Sequence, residues 1–294
     1  MGAVSRVVGA CVAVVLACSA NGSPAAAAAR GESRALGDVA ALQVALRARG
    51  LYGGAVDAIA GPATTRAVRS LQRGAGLAAD GVVGPATRAA LHWRGRPALG
   101  ARSVSSGMRG WDVAAVQFLL ARAGFPSGPF DGAAGPRFVA ALMRFQRWAG
   151  LTADGAAGPA TIARLGRPPP RSPLRFRVPV AAPIGDGFGP RGDGFHTGID
   201  FPAAAGTPVG AAGRGCVIFA GTDDGYGLLV VLAHAARVTT WYAHLSRIDV
   251  RPGACVPAGA RVGAVGATGR ATGPHLHFEV RVGGAASDPR FALF

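Results

Sequence analysis

The sequence contains no lysine. All 31 basic side chains are arginines against only 15 acidic ones, which gives a formal net charge of +16. In a chain this rich in alanine and glycine, the arginine bias indicates GC-rich coding rather than a demand for guanidinium chemistry. Charged residues make up only 16% of the chain and apolar residues 50%, so charge-driven disorder is excluded.

Other features are missing as well. There is no C-x-x-C pair, so a structural zinc knuckle is not indicated. No apolar stretch beyond the N-terminus approaches the roughly 20 residues that a membrane span needs, and we expect no transmembrane segment in the mature chain. Aromatic residues are only 7% of the chain and are not interleaved with the arginines, which disfavours a nucleic-acid partner.

The N-terminus has the pattern of an export signal. Arg6 is followed by an apolar run over residues 7–20 and by an alanine-rich tail over residues 23–29. We therefore expect a signal peptide over residues 1–29 and a secreted protein. The string before Cys18 resembles a lipoprotein cleavage box, which keeps lipid anchoring at Cys18 as an alternative.

Export also bears on the cysteines and on the positive charge. Cys216 and Cys255 are the pair left in the mature protein, and an oxidising compartment favours a disulfide between them, although two separate buried thiols remain the alternative. Residues 1–180 hold 22 arginines against 7 acids, whereas residues 181–294 hold 9 against 8. On an exported chain, this asymmetry favours loose attraction to an anionic envelope.

An internal repeat fills the basic part of the chain. Residues 38–91 align without a gap to residues 112–165, at an offset of 74. In the first copy Val39, Leu42 and Leu46 form an amphipathic stripe, and Gly50 can end that helix. Each copy predicts three short helices, the third beginning at Pro85 or Pro159. We expect two small all-α repeats, over residues 36–95 and 107–167.

The shared string, D-V-x-x-L-Q followed by D-x-x-x-G-P, L-Q and D-G-x-x-G-P-x-T, resembles the peptidoglycan-binding domain. The resemblance implies three-helix modules that hold cell-wall enzymes on murein, with peptidoglycan as the partner. Two departures stand out: Ala58 replaces the usual glycine, and Phe138 stands where the first copy has Thr64. One copy is therefore expected to be structural and to bind weakly. Residues 168–180, rich in proline and arginine, predict a semi-rigid linker.

The pattern changes to β structure over residues 181–294. Short β-branched and aromatic runs are cut by glycine-rich turns, which predicts a mainly antiparallel sheet or a partly closed barrel. Five of the six histidines lie in this part of the chain. The expected fold class is thus multidomain, with two all-α repeats followed by a mainly antiparallel β catalytic domain.

Two histidine-containing pairs have metal-ligand spacing. His275 and His277 alternate along a strand and share one face, and His196 and Asp200 share a face in an extended chain. Catalytic zinc takes three nitrogen or oxygen ligands and keeps a fourth position for water. Two histidines and one aspartate from these segments satisfy that count.

Three motifs in order resemble those of the lysostaphin-like zinc endopeptidases, which cut peptidoglycan cross-bridges: H-x-x-x-D at 196–200, Y-A-H-L at 242–245 and T-G-x-x-T-G-P-H-L-H-F-E at 268–279. The resemblance implies one Zn²⁺ held by His196, Asp200 and His277. It also implies that His244 and His275 flank a metal-bound water as the catalytic pair, without dividing their roles.

The expected function is an exported zinc endopeptidase that cleaves peptide bonds in peptidoglycan stem peptides or cross-bridges, held at the wall by the repeats and acting as a monomer. The alternative is a non-catalytic wall-binding protein or an activator of other murein hydrolases, but the intact ligand and flanking positions favour catalysis. We expect His234 to be structural, Arg270 to be a solvated loop residue, and Glu279 to orient one of the strand histidines.

Overall fold

A computed structural model describes residues 24–294, with side chains from residue 31 onward. The helices are α1 (Pro24–Arg47), α2 (Pro62–Gly74), α3 (Pro85–Ala90), α4 (Trp111–Arg122), α5 (Pro136–Trp148), α6 (Pro159–Leu165) and α7 (Arg290–Leu293). The first six form two sets of three, one set per repeat, and the third helix of each set begins at the expected proline. Within residues 24–294, no helix combines the length and the apolar character that crossing a bilayer requires.

The predicted signal lies almost wholly outside the described residues. Residues 1–23, with Cys11 and Cys18, are not among them, and residues 24–29 form the first turns of α1.

Four buried glutamines explain the shared string of the repeats. Each amide nitrogen donates to the aspartate of the following loop: Gln43 to Asp57, Gln72 to Asp80, Gln117 to Asp131 and Gln146 to Asp154, at 2.7–2.8 Å. The same aspartate accepts the backbone N–H two residues later, which closes a tight turn. A Gly-Pro pair then starts the next helix, because proline tolerates the first helical position. The buried glutamine and the D-x-x-x-G-P turn are therefore one structural unit used four times.

The residue after each of these aspartates has a positive φ. Gly81, Gly132 and Gly155 adopt φ of +80°, +73° and +72°, and Ala58 adopts +61° at the equivalent place in the first loop. An L-residue in this region costs about 1–2 kcal/mol. The departure at Ala58 is thus a strained copy of the same turn.

The two repeats share one hydrophobic core. Helix α1 packs along α4, and the core includes Leu46 and Val68 of the first copy with Leu119 and Leu142 of the second, all nearly fully buried. The indole Nε1 of Trp111 donates to Asp38 Oδ1 at 2.5 Å across this interface. The repeats therefore pack as a single helical body.

The C-terminal part is an antiparallel sheet, as expected. Its strands are β3 (Ile199–Pro202), β4 (Pro208–Gly210), β5 (Gly215–Asp223), β6 (Gly227–Ala233), β7 (Val238–Ile248), β8 (Cys255–Val256), β9 (Arg261–Val265), β10 (His275–Val282) and β11 (Ala285–Ser287). They lie in the order β11-β10-β7-β6-β5-β8, with β3 beside β10, β9 beside β7 and β4 beside β9. A separate hairpin, β1 (Gly189–Arg191) and β2 (Gly194–His196), precedes the sheet.

Covalent and apolar contacts close this β domain. Cys216 and Cys255 are opposite each other on β5 and β8 and form a disulfide. Val230, Tyr242 and Phe278 fill the core. Phe176 and Val180, from the C-terminal part of the expected linker, are buried in the same core.

The helical body contacts the β domain at the turn of the β1–β2 hairpin. Val56 donates its backbone N–H to the Gly192 carbonyl at 2.9 Å, and Phe130 donates to the Asp193 carbonyl at 2.6 Å. Val56 and Phe130 are equivalent positions of the two repeats. The duplication thus holds two consecutive carbonyls of one turn.

The glycine turns of the repeats yield a stability prediction. We expect Gly132→Ala to lower the free energy of unfolding by about 1–3 kcal/mol, because it forces an L-residue to positive φ. Its Cβ would also lie 3.2 Å from the Gly110 carbonyl oxygen. Gly53→Ala, a site with no atom within 4 Å of the new Cβ, is the control and should change stability by less than about 1 kcal/mol. Denaturant unfolding measures both, and equal stabilities would contradict the assignment.

Candidate active site

Strand pairing brings the candidate ligands together. In the antiparallel register of β3 and β10, Asp200 lies opposite His277, and β2 ends at His196 just before β3 begins. The converging atoms are His196 Nε2, Asp200 Oδ1 and His277 Nδ1, separated by 3.1, 2.8 and 3.0 Å. All three side chains are buried. Among the residues with described side chains, this trio is the only cluster of histidine, cysteine or carboxylate groups with metal-binding geometry.

The outer nitrogens of the two histidines define the chemistry of the inner ones. His196 Nδ1 lies 2.7 Å from the Gly187 carbonyl, and His277 Nε2 lies 3.0 Å from Glu279 Oε1. An oxygen acceptor at each of these positions requires the outer nitrogen to carry the proton. When the two imidazoles are neutral, their inner nitrogens offer lone pairs beside the Asp200 carboxylate, and together the three groups form the donor set that a divalent cation binds.

The charges of this cluster favour a cation as well. Burial alone would lower the pKa of His277, but hydrogen bonds to Asp200 and Glu279 outweigh it and raise that pKa to about 9. Burial would raise the pKa of Asp200, whereas hydrogen bonds from His196 and His277 hold it far below its usual range. The pocket thus stabilises positive charge between the two histidines and the carboxylate.

Glu279 is fully buried and supports His277 from behind. Besides His277, its carboxylate accepts from Thr197 Oγ1 at 2.5 Å, Tyr226 OH at 2.8 Å and Arg281 Nε at 2.5 Å. Burial would raise the pKa of Glu279, but Arg281 and His277 hold it well below the usual value. An ionised carboxylate with this many donors orients the imidazole firmly. The structure therefore contains the orienting hydrogen bond expected from strand alternation.

His244 and His275 lie on the open side of the cluster. Their ring centroids are 4.8 Å apart, and each Nδ1 contacts a backbone carbonyl at 2.8 Å, that of Thr268 for His244 and that of Gly273 for His275. Each Nε2 is therefore left as an acceptor. Burial lowers the pKa of His244, which keeps its imidazole neutral at pH 7. Both rings line a cleft of about 680 Å³ that also exposes Asp200 and His277.

His244 owes its position to an unusual backbone. It adopts φ of +59° where the pairing of β7 with β6 is irregular, and its N–H donates to the Tyr226 carbonyl. A non-glycine residue at positive φ costs of order 1–3 kcal/mol, and such strain is concentrated at functional sites.

Sequence reasoning missed several residues of this site. Arg191, on the β1–β2 hairpin, lies 3.4 Å from Asp200 Oδ2 and 3.1 Å from Asp186 Oδ2, and it lines the cleft. Tyr226 packs against His277 with centroids 5.7 Å apart. The sequence feature that could have identified Arg191 is its position five residues before the H-x-x-x-D motif. No sequence feature pointed to Tyr226. Arg270 also lines the cleft.

His234 lies away from the cluster. Its nitrogens contact the Arg214 carbonyl and Thr240 Oγ1 at 2.8 Å, and its ring packs on Phe176. It has a structural role, as expected.

Comparison with known protein families agrees with this architecture. Residues 194–289 match the model described as peptidase family M23, and residues 36–91 and 109–165 match the model of a putative peptidoglycan binding domain. These matches confirm the two resemblances inferred from the motifs.

Individual relatives resemble the β domain. The DD-carboxypeptidase/endopeptidase Mpg of Neisseria meningitidis is 49% identical over 94 residues, which cover 32% of this chain and 22% of that protein. The peptidoglycan DD-endopeptidase ShyC of Vibrio cholerae is 39% identical over 127 residues, which cover 41% of this chain and 28% of the relative. The chain thus spans about a quarter of the length of these relatives. The solved catalytic domain of lysostaphin from Staphylococcus simulans is 36% identical, with 37% of this chain and 90% of that chain covered and a TM-score of 0.36.

The cluster makes a prediction about metal binding. His277→Ala should abolish stoichiometric divalent metal binding, because it removes one of three converging donors. His234→Gln, which changes a histidine outside the cluster, should leave the metal content unchanged. Elemental analysis of the purified proteins measures both, and full metal content in His277→Ala would disprove the ligand set.

Glu279 allows a finer test. Glu279→Gln keeps the shape of the side chain but removes the charge that faces His277 Nε2. We expect the metal affinity to fall roughly 10–100-fold, as for other partners of metal-binding histidines. Competition with a chromogenic chelator measures this, and an unchanged affinity would show that the carboxylate does not tune His277.

Proposed function

We propose that this chain, whose residues 194–289 form a domain of peptidase family M23, is an exported zinc endopeptidase that hydrolyses peptide bonds in peptidoglycan stem peptides or cross-bridges. The observation that carries this proposal is the convergence of His196, Asp200 and His277 beside a cleft. Asp200 and His277 line that cleft together with His244 and His275. Relatives named as peptidoglycan DD-endopeptidases and the two putative peptidoglycan binding domains support the substrate class.

Zinc is the metal that fits the donor set best. Two imidazole nitrogens and one carboxylate oxygen are typical of catalytic zinc sites, whereas magnesium and calcium prefer oxygen ligands. His196, Asp200 and His277 would hold the ion. When bound, zinc supplies Lewis acidity, which polarises a carbonyl and lowers the pKa of water to about 7.

The remaining steps belong to the protein's own groups. With Nδ1 engaged by a backbone carbonyl, the Nε2 of His244 or His275 can accept a proton from the attacking water and return it to the leaving amine. The second imidazole, when it carries a proton on both nitrogens, can donate its Nε2–H to the oxyanion that develops on the scissile carbonyl. Arg191 and Arg270, both lining the cleft, place positive charge where the carboxylates of stem peptides would lie.

Localisation is part of the proposal. The signal-like pattern over residues 1–29 and the Cys216–Cys255 disulfide both favour a compartment outside the cytoplasm, where peptidoglycan lies. The basic helical body, over the expected repeats 36–95 and 107–167, would bring the monomeric enzyme to an anionic wall.

The catalytic proposal predicts release of new amino termini from purified sacculi. His244→Ala and His275→Ala should each lower kcat by about 10²–10⁴-fold, the usual contribution of a general acid–base group, while metal content is retained. His234→Gln should match the parent protein. Intact metal with unchanged kcat in both variants would refute the assigned roles. No hydrolysis by the parent protein would instead favour the non-catalytic alternative, a wall-binding protein or an activator of other hydrolases.

A further inference from the structure

The two repeats present the same surface in different states. In repeat 1, the C-terminal end of α2, helix α3 and the turn around Gly50 enclose a groove of about 560 Å³. Leu51, Leu71 and Gly74 line its apolar part, and Arg49 lies at its border. We call this surface the repeat 1 groove.

The equivalent surface of repeat 2 is filled by its own side chains. At the offset of 74, Leu51, Leu71 and Gly74 become Phe125, Phe145 and Trp148. These three rings pack on one another with centroids 5.6–5.9 Å apart. The Arg164 guanidinium lies 4.7 Å from the Trp148 ring, and its equivalent in repeat 1 is Ala90.

A peptide segment of the β domain lies on this filled surface. The N–H of Ala286, in the extended strand β11, donates to the Gly124 carbonyl at 3.0 Å. Gly124 and Ala286 approach so closely that a Cβ on Gly124 would lie 2.5 Å from the Ala286 carbonyl oxygen. A Cβ on Gly283, in the turn before β11, would lie 3.3 Å from the Trp148 ring. Repeat 2 therefore binds an extended Ala-Ala-Ser segment of its own chain.

The same edge of repeat 1 is open. Gly50 is the equivalent of Gly124 and has a positive φ of +68°, and no atom lies within 4 Å of a Cβ built on it. Gly74 likewise has none, where repeat 2 has the indole of Trp148. Arg49 replaces the buried Ala123 of repeat 2, so the open copy has a guanidinium beside this glycine where the filled copy has a methyl group.

We propose that the repeat 1 groove is the site that binds peptidoglycan and that it takes the alanine-containing peptide stem. A stem N–H would donate to the Gly50 carbonyl, as Ala286 does to Gly124, and a stem carboxylate would bind Arg49. Repeat 2 uses its copy of the surface to hold the β domain. The identity of the polymer rests on the proposed function, whereas the difference between the grooves does not.

The lining favours the peptide over the glycan. Leucine and alanine side chains form the floor, and the one ring among the lining residues is the imidazole of His92, with no tryptophan, tyrosine or phenylalanine on which a sugar could stack. Small methyl side chains fit such a floor. The segment bound by repeat 2 is itself a peptide with two alanines.

The first test fills the groove. Gly74→Trp copies Trp148 into repeat 1 at a helix position with no neighbour within 4 Å of the new Cβ, so folding should be preserved and is checked by thermal unfolding. Binding of a soluble disaccharide-tetrapeptide to the full chain, measured by calorimetry, should weaken at least 10-fold. Val82→Trp, at a 61% exposed residue outside the groove, is the control and should bind like the parent protein. Unchanged affinity in a folded Gly74→Trp variant would overturn the proposal.

The second test addresses the charge and the ligand class. Arg49→Gln should weaken disaccharide-tetrapeptide binding at least 10-fold. Arg73→Gln removes the same charge from an exposed site of repeat 1 outside the groove lining and should bind like the parent protein. Glycan strands stripped of peptide should not compete. Equal loss of binding in both variants would show that net charge, not a specific contact of Arg49, causes the effect, and would overturn the Arg49 assignment. Competition by bare glycan would overturn the peptide assignment.

Hydrolysis separates this proposal from the proposed function. Gly74→Trp should cleave a soluble cross-linked muropeptide dimer at the parent rate, because residues 185–277 alone line the catalytic cleft. Binding without hydrolysis in the parent protein would refute the endopeptidase but retain the groove assignment. Hydrolysis by the parent protein, together with unaltered disaccharide-tetrapeptide binding in Gly74→Trp, would refute the groove assignment but retain the endopeptidase.

Discussion

The register between β3 and β10 is the constraint on which the candidate site depends. It sets Asp200 opposite His277, while alternation along β10 directs His275, His277 and Glu279 to one face. A slip of one residue would turn all three to the opposite face of the sheet. The register is held from both sides, because β10 also pairs with β7 from Val238 to Ala243. Glu279 stabilises this register locally. Its buried charge is fully hydrogen-bonded only when four side chains surround it, those of His277, Thr197, Tyr226 and Arg281.

The helical body shows how a duplication can diverge in use while its framework is kept. The buried glutamine–aspartate pairs recur four times with nearly the same distance, because an unpaired amide at these buried positions would cost free energy. The residues that line the groove are not constrained by a buried glutamine–aspartate pair. Repeat 2 filled it with Phe125, Phe145 and Trp148 and turned it into a contact with the β domain, whereas repeat 1 kept it open.

Local sequence patterns predicted the features that depend only on neighbouring residues. Gly-Pro pairs located the helix starts, and period-two alternation placed His275 and His277 on one face. Ligand count joined the segment of His196 to that of His277, 81 residues away, but the choice of His277 rather than His275 as the ligand came only from the family resemblance. Contacts that no sequence motif marks could not be predicted: Arg191 beside Asp200, Tyr226 beside His277, and the packing of both repeats on the β1–β2 hairpin. Ala58 could be recognised as a departure, but its positive φ required the structure.

The hairpin contact depends on both copies of the repeat. Gly192 and Asp193 offer adjacent carbonyls, and Val56 and Phe130 bind them from equivalent places in two copies. One copy alone could meet only one of these acceptors, so the complete contact requires both copies. The two repeats are consequently not interchangeable. Deleting either would leave a carbonyl of the turn between Arg191 and Gly194 without its present donor.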